Sequence, residues 1–295
     1  YQASSTLFNT GKTYFFLKDY SSSLEFLEKA KLLSREADNP VIEVLALEQI
    51  ASVYFQQGNF KRAAEAGEEA LVLARKNQFR NHELDILNSL ARTYFLKKKP
   101  ARGWDLAQEA VNLARELKKR NDEAQALNSL GSAYIELRDY QKAETASLQA
   151  LSIAKEIENL NIESSALSSL NRIYFQRGEF NKQIDNRLRI LEIARKQKDK
   201  WDEFTALVDL GSAYYNNGQH QKRLGVYQQS LAILPEIEIS KLSPFQQKMI
   251  GIYEVFILQG ISLTYRYLGE YNKALDFAQQ TLKKAQSINQ PESEI

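Results

Sequence analysis

An all-α fold, a right-handed superhelical solenoid of about seven stacked helical hairpins, is what this 295-residue sequence predicts. Three observations carry it. A tyrosine recurs at Tyr14, Tyr54, Tyr94, Tyr134, Tyr174 and Tyr214, forty residues apart without a slip, and Tyr265 follows after fifty-one. A leucine stands seven residues ahead of each, from Leu7 and Leu47 to Leu207 and Leu258. The composition holds only five prolines and twelve glycines in a background of Leu, Ala, Glu, Lys, Arg and Gln, the residues that lose least on entering a helix. A fixed period of this length is the mark of a repeat architecture in which no unit buries its apolar face alone.

Each unit reads as helix A, turn, helix B, turn. Leucine and tyrosine seven apart share one face of helix A, and both are expected in the core. Small residues three before the tyrosine, at Gly11, Ala51, Ala91, Gly131 and Gly211, mark where helices touch closely; Asn171 and Ser262 depart from that pattern. Four residues past the tyrosine, Gly58, Gly178, Gly218 and Gly269, or Lys18, Lys98 and Arg138, mark a turn that suits a left-handed helix end. Helix B opens on Tyr20, Phe60, Tyr140, Phe180 or Tyr271 and carries small residues such as Ala63, Ala143, Ala274, Ala70, Ala110 and Ala150. A polar step closes the unit, with Glu43, Glu83, Glu123, Glu163 and Glu203 favouring the start of the next helix A.

Six units fill residues 1–234. Residues 235–245, with Pro235, Ser240, Ser243 and Pro244, form an inserted loop of eleven residues, and a seventh unit fills 246–290. Residues 291–295 read as the start of a truncated eighth unit, with Glu294 at its acidic position. The chain opens on Tyr1 with the amphipathic pattern already running, so we expect it to be a segment of a longer protein. A cytoplasmic location is the expectation, with targeting signals outside what is readable.

Composition removes several classes of function. Without cysteine there is no disulfide, thiolate zinc site or cysteine nucleophile. Thirty-nine basic against thirty-seven acidic residues set no field that would select nucleic acid. No run approaches a membrane span. Gly11-Lys12-Thr13 lacks the earlier glycine and strand of a phosphate-binding loop, since Thr6 stands where that glycine would be. The basic stretch from Lys97 to Arg120 falls on turns and helix ends. His82 and His220 lie in different units and read as surface residues, and Trp104 and Trp201 as packing residues at helix starts. No cofactor, metal or enzymatic activity is expected.

Strings such as Leu127-Asn128-Ser129-Leu130-Gly131-Ser132-Ala133-Tyr134 followed by Asp139-Tyr140-Gln141-Lys142-Ala143 resemble the tetratricopeptide repeat, over nearly the whole chain. The forty-residue unit resembles the lengthened form in kinesin light chains, bacterial peptide-receptor regulators and proteins with a CHAT protease domain. The resemblance implies a scaffold whose A helices line a concave groove for a peptide or protein segment. Residues one step past the tyrosine (Phe15, Phe55, Phe95, Phe175, Tyr215) and two steps before it (Lys12, Arg92, Arg172) would face that groove, beside Gln49, Asn88, Asn128 and Asp209. Aromatic area with forked cationic donors suits a segment mixing apolar and acidic residues. The phenylalanines have a second reading, as packing between adjacent A helices. The resemblance also allows a regulatory sensor domain attached to a CHAT-type protease or other effector, a receptor for small signal peptides, and end-to-end self-association through uncapped ends.

Overall fold

The computed structural model describes residues 2–289, and these are almost entirely helical. Helix α1 (Gln2–Phe16) is followed by α2 (Tyr20–Glu36), α3 (Pro40–Gln56), α4 (Phe60–Lys76), α5 (Arg80–Leu96), α6 (Pro100–Glu116), α7 (Arg120–Glu136) and α8 (Tyr140–Glu156), which begin every twenty residues from α2 onward. Then come α9 (Leu160–Arg177), α10 (Phe180–Gln197), α11 (Lys200–Asn216) and α12 (His220–Ile233). Two short 3-10 turns, Leu234–Glu236 and Ile239–Lys241, lead into the longer α13 (Pro244–Tyr267), and α14 (Tyr271–Asn289) follows. The expected start of an eighth unit, with Glu294, lies outside the described residues. The chain divides into two compact units, one up to Ser169 and one from Leu170 onward, the division falling inside α9.

In the first unit consecutive helices pack as hairpins, and hairpin packs on hairpin from α1 to α8. In the second, α10 to α14 do the same. The leucine ladder is core: Leu47, Leu87, Leu127, Leu167 and Leu207 are buried, as are the helix B alanines Ala63, Ala70, Ala110, Ala143 and Ala150. The tyrosine ladder is less uniform than its periodicity suggests. Tyr174, Tyr214 and Tyr265 are buried, whereas Tyr14, Tyr54, Tyr94 and Tyr134 are only half-buried. A cation from helix B covers several of these rings, with Arg62 over Tyr54 at 5.4 Å, Lys142 over Tyr134 at 5.6 Å and Lys222 over Tyr214 at 5.6 Å. A tyrosine suits a site that is apolar at the ring and wet at the hydroxyl, which explains its recurrence better than full burial does.

The close-contact position is real and specific. A methyl group on Gly211 would stand 2.0 Å from Cε1 of Tyr227, and one on Gly11 2.7 Å from Cγ of Leu27. The turns follow one rule throughout. The amide of Asp19 donates to the carbonyl of Tyr14, and Asn59 to Tyr54, Asp139 to Tyr134 and Gln219 to Tyr214 repeat the bond. The residue just before each of these donors takes left-handed backbone, glycine at 58, 178, 218 and 269 but Lys18, Lys98 and Arg138 elsewhere. The turns from helix B to helix A use the same geometry at Asp38, Gln78, Lys118, Glu158 and Lys198, where no glycine announces it.

The recurring glutamates do more than complement a helix end. Arg35, Arg75, Arg115 and Arg195, themselves forty apart but for one missing member, donate through Nε to Glu43 at 2.7 Å, Glu83 at 3.0 Å, Glu123 at 2.8 Å and Glu203 at 2.9 Å. Arg35 also reaches Glu69 of the next helix B at 2.8 Å. Each such arginine ties the end of one hairpin to the next.

Candidate functional site

Within the first unit the A helices α3, α5, α7 and the start of α9 present one polar face. Asp85, Asn88, Ser89 and Arg92 are spaced by three, four and seven residues, so they share a side of α5. Gln125, Asn128 and Ser129 repeat the set on α7, and Asn161 and Ser165 extend it on α9. Together with Ile162 they line a cleft of about 490 Å³. Ser169 donates to Oδ1 of Asn128 at 3.2 Å, while Oδ1 of Asn88 is buried with no hydrogen-bond partner. A second cleft of about 200 Å³ adjoins it through Ser89 and Arg92 and is lined by Phe15, Gln49 and Phe55 among others. The guanidinium of Arg92 stacks over the ring of Phe55, 4.2 Å from its centroid, and so joins a polar stretch to an aromatic one.

The structure thus brings Phe15, Gln49, Phe55, Asn88, Arg92 and Asn128 onto one continuous face. Phe95 is not on it. Its ring lies on α6, where a methyl group on Gly103 would be 2.3 Å away, and belongs to the core between the two helices. The phenylalanine stripe also packs across its own A–B turn: Phe15 meets Tyr20 at 6.0 Å, Phe55 meets Phe60 at 5.5 Å and Phe175 meets Phe180 at 6.5 Å. Lys12 is exposed and lines neither cleft. In the second unit, Arg172 and Phe175 lie on the C-terminal half of α9, Asp209 is ion-paired to Arg187, and Tyr215 lines a separate cleft.

Sequence reasoning missed Asp85, Gln125, Ser165 and Asn161. The signal was present, since the first three stand nine before their tyrosines at the same forty-residue spacing. It also misjudged the histidines. His82 is half-buried, its Nδ1 3.4 Å from Oε1 of Glu48, and His220 stacks on Tyr267 at 4.7 Å. Burial, with the nearby charge of Asp85 adding to it, pushes the Glu48 carboxyl up to about 8. Among the described residues no group of three or more acidic or histidine side chains could hold a metal ion, and no helix is long and apolar enough to cross a membrane.

Family models of the tetratricopeptide repeat match residues 4–36, 45–77 and 82–156. No curated protein matches the chain. Solved structures do. A signal-transduction ATPase with a tetratricopeptide-repeat sensor, PH0952 from Pyrococcus horikoshii, aligns with TM-score 0.72 at 17% identity over 98% of this chain and 42% of its own. The apo form of RapI aligns with TM-score 0.69 at 14% identity over 97% of this chain and 98% of its own. A Rap protein complexed with Competence and Sporulation Factor gives TM-score 0.61 at 16% identity over 96% and 74%. At such identities the likeness is one of fold. The chain carries tetratricopeptide repeats over these matched stretches, and its described residues form helical hairpins of the kind found in tetratricopeptide-repeat solenoids.

Proposed function

We propose that the chain is a protein-interaction scaffold that holds an extended peptide segment against the A-helix face of its first unit. The observation that carries this is the amide-lined cleft, with Asn88 and Asn128 in equivalent positions of adjacent hairpins and the Asn88 acceptor buried without a partner. A buried polar atom left unmade is costly, and a peptide amide would satisfy it. The spacing fits. Packed helices lie about 8–10 Å apart and an extended chain advances roughly 3.3 Å per residue, so each hairpin meets about three residues of a bound segment.

Arg92 and the neighbouring Phe55 favour an acidic residue beside an apolar one in that segment, and Asp85 at the far side of the cleft favours a donor. Catalysis forms no part of this reading. Among the structural neighbours, one is a Rap protein solved with a bound signalling factor and one carries its repeats as a sensor; they support a regulatory setting in which occupancy of the face is passed to an attached or partner domain. Panning a random peptide library on the full chain tests the proposal. The wild type is expected to enrich binders that an Asn88→Ala, Asn128→Ala, Arg92→Glu variant with an unchanged melting temperature fails to retain. Equal retention by that variant would remove the face from the account.

A further inference from the structure

The second unit contains a cationic side chain that its own repeat pattern does not call for. The helix B position taken by Ser23, Ala63, Gly103, Ala143, Gln183 and Ala274 in other hairpins, uncharged in every one, is Arg223 in α12. It is 95% buried, with 5% relative exposure. Its Cζ lies 4.4 Å from the ring centroid of Tyr215 and 5.2 Å from that of Tyr227, so two aromatic faces sandwich it. Room for it comes from Gly260 of α13, where a methyl group would stand 2.8 Å from Nη2. Nε and Nη1 are buried with no hydrogen-bond partner.

Ring faces offset part of the cost of taking a guanidinium out of water, but they accept none of its N–H groups in the plane where a carboxylate would. The cleft that Arg223 lines, about 610 Å³, holds a second arginine, Arg266, and no aspartate or glutamate among the described residues. Phe256, Leu263 and Leu275 give it an apolar wall, and Gln259 and Ser262 add uncharged polar groups. The size falls in the range of small-ligand sites.

We infer that this cleft is a subsite for a carboxylate carried on an apolar or aromatic body, with Arg223 and Arg266 taking the carboxylate and Phe256, Leu263 and Leu275 the body. The inference rests on the peptide-binding reading only for its natural source, a side-chain or terminal carboxylate of a bound peptide. The site itself is separate from the amide-lined cleft of the first unit.

Titration of the full chain with N-acetylphenylalanine, N-acetylphenylalaninamide and inorganic phosphate, followed by calorimetry and by tyrosine ring signals in NMR, tests it. The free acid is expected to bind and shift the Tyr215 and Tyr227 resonances, with the amide and phosphate each at least tenfold weaker. Arg223→Ala restores the residue found at the equivalent place in three other hairpins, so it should fold, and it should weaken the acid at least tenfold. Asn88→Ala with Asn128→Ala should leave acid binding unchanged. Equal binding of acid and amide, phosphate binding as tightly as the acid, or acid binding that survives Arg223→Ala would each overturn the inference. None of these would touch peptide capture by the first unit, so the two readings can fail separately.

Discussion

Tyr227 is the largest kind of side chain the fold buries completely, and it can sit there only because α11 offers Gly211 and α13 offers Gly260 on either side of its ring. Gly211→Ala would place a methyl group 2.0 Å from Cε1 of a ring with nowhere to retreat. We expect a loss of about 1–3 kcal/mol, the usual cost of overpacking, readable by urea denaturation; an unchanged midpoint would show that the contact is slack. Glu48 supplies a different test. Its carboxyl is raised from an ordinary 4.5 to about 8 in the folded chain, so protonation favours the folded state. The stability tied to this group is fully present below pH 4.5 and is lost as pH rises through about 8. Glu48→Gln should therefore lose less stability than the wild type between pH 5 and pH 8.5, measured as the difference in melting temperature. Parallel pH profiles would mean that Glu48 ionises freely beside His82.

At the scale of elements, the regularity lies in the turns as much as in the helices. A left-handed residue closes the helices at 18, 38, 58 and on through 218, with glycine at only some of these places. Non-glycine residues there carry a backbone cost of roughly 1–2 kcal/mol, partly matched by the entropy that glycine loses on folding. Lys98→Gly and Lys118→Gly should each raise stability by up to about 1 kcal/mol, and Gly58→Ala should lower it by about the same. A denaturation series in which all three fall together would contradict this assignment of the turns. Helix and turn positions were legible because leucine and tyrosine seven apart share one helical stripe, and because glycine past the tyrosine has one obvious use, although the half-burial of Tyr14, Tyr54, Tyr94 and Tyr134 was not. The second set of turns was not, since Gln78 or Glu158 in left-handed backbone looks like any polar residue. The glutamates were legible as helix-start residues, but their partners were not, because Arg35 and Glu43 meet only after the chain has turned from α2 into α3.

The whole molecule behaves as repeats do: each hairpin is stabilised by its neighbours, and stability is a sum of local terms. Gly211→Ala should accordingly speed amide exchange in α11 and α12 while leaving α3 to α6 unchanged. Uniform acceleration along the chain would argue for one cooperative block. The proposed binding face was half legible for the same reason. Asn88, Asn128 and Arg92 could be read from their register on helix A, whereas the inward seat of Phe95 and the pairing of Asp209 with Arg187 depend on which helix stands opposite. The most direct test of the central claim is the footprint of a captured peptide, read by photo-crosslinking from a probe residue within the peptide to the full chain. Attachment concentrated on α5 and α7 around Asn88, Arg92 and Asn128 is the predicted result. Attachment on α4, α6 and α8 with those residues untouched would contradict it.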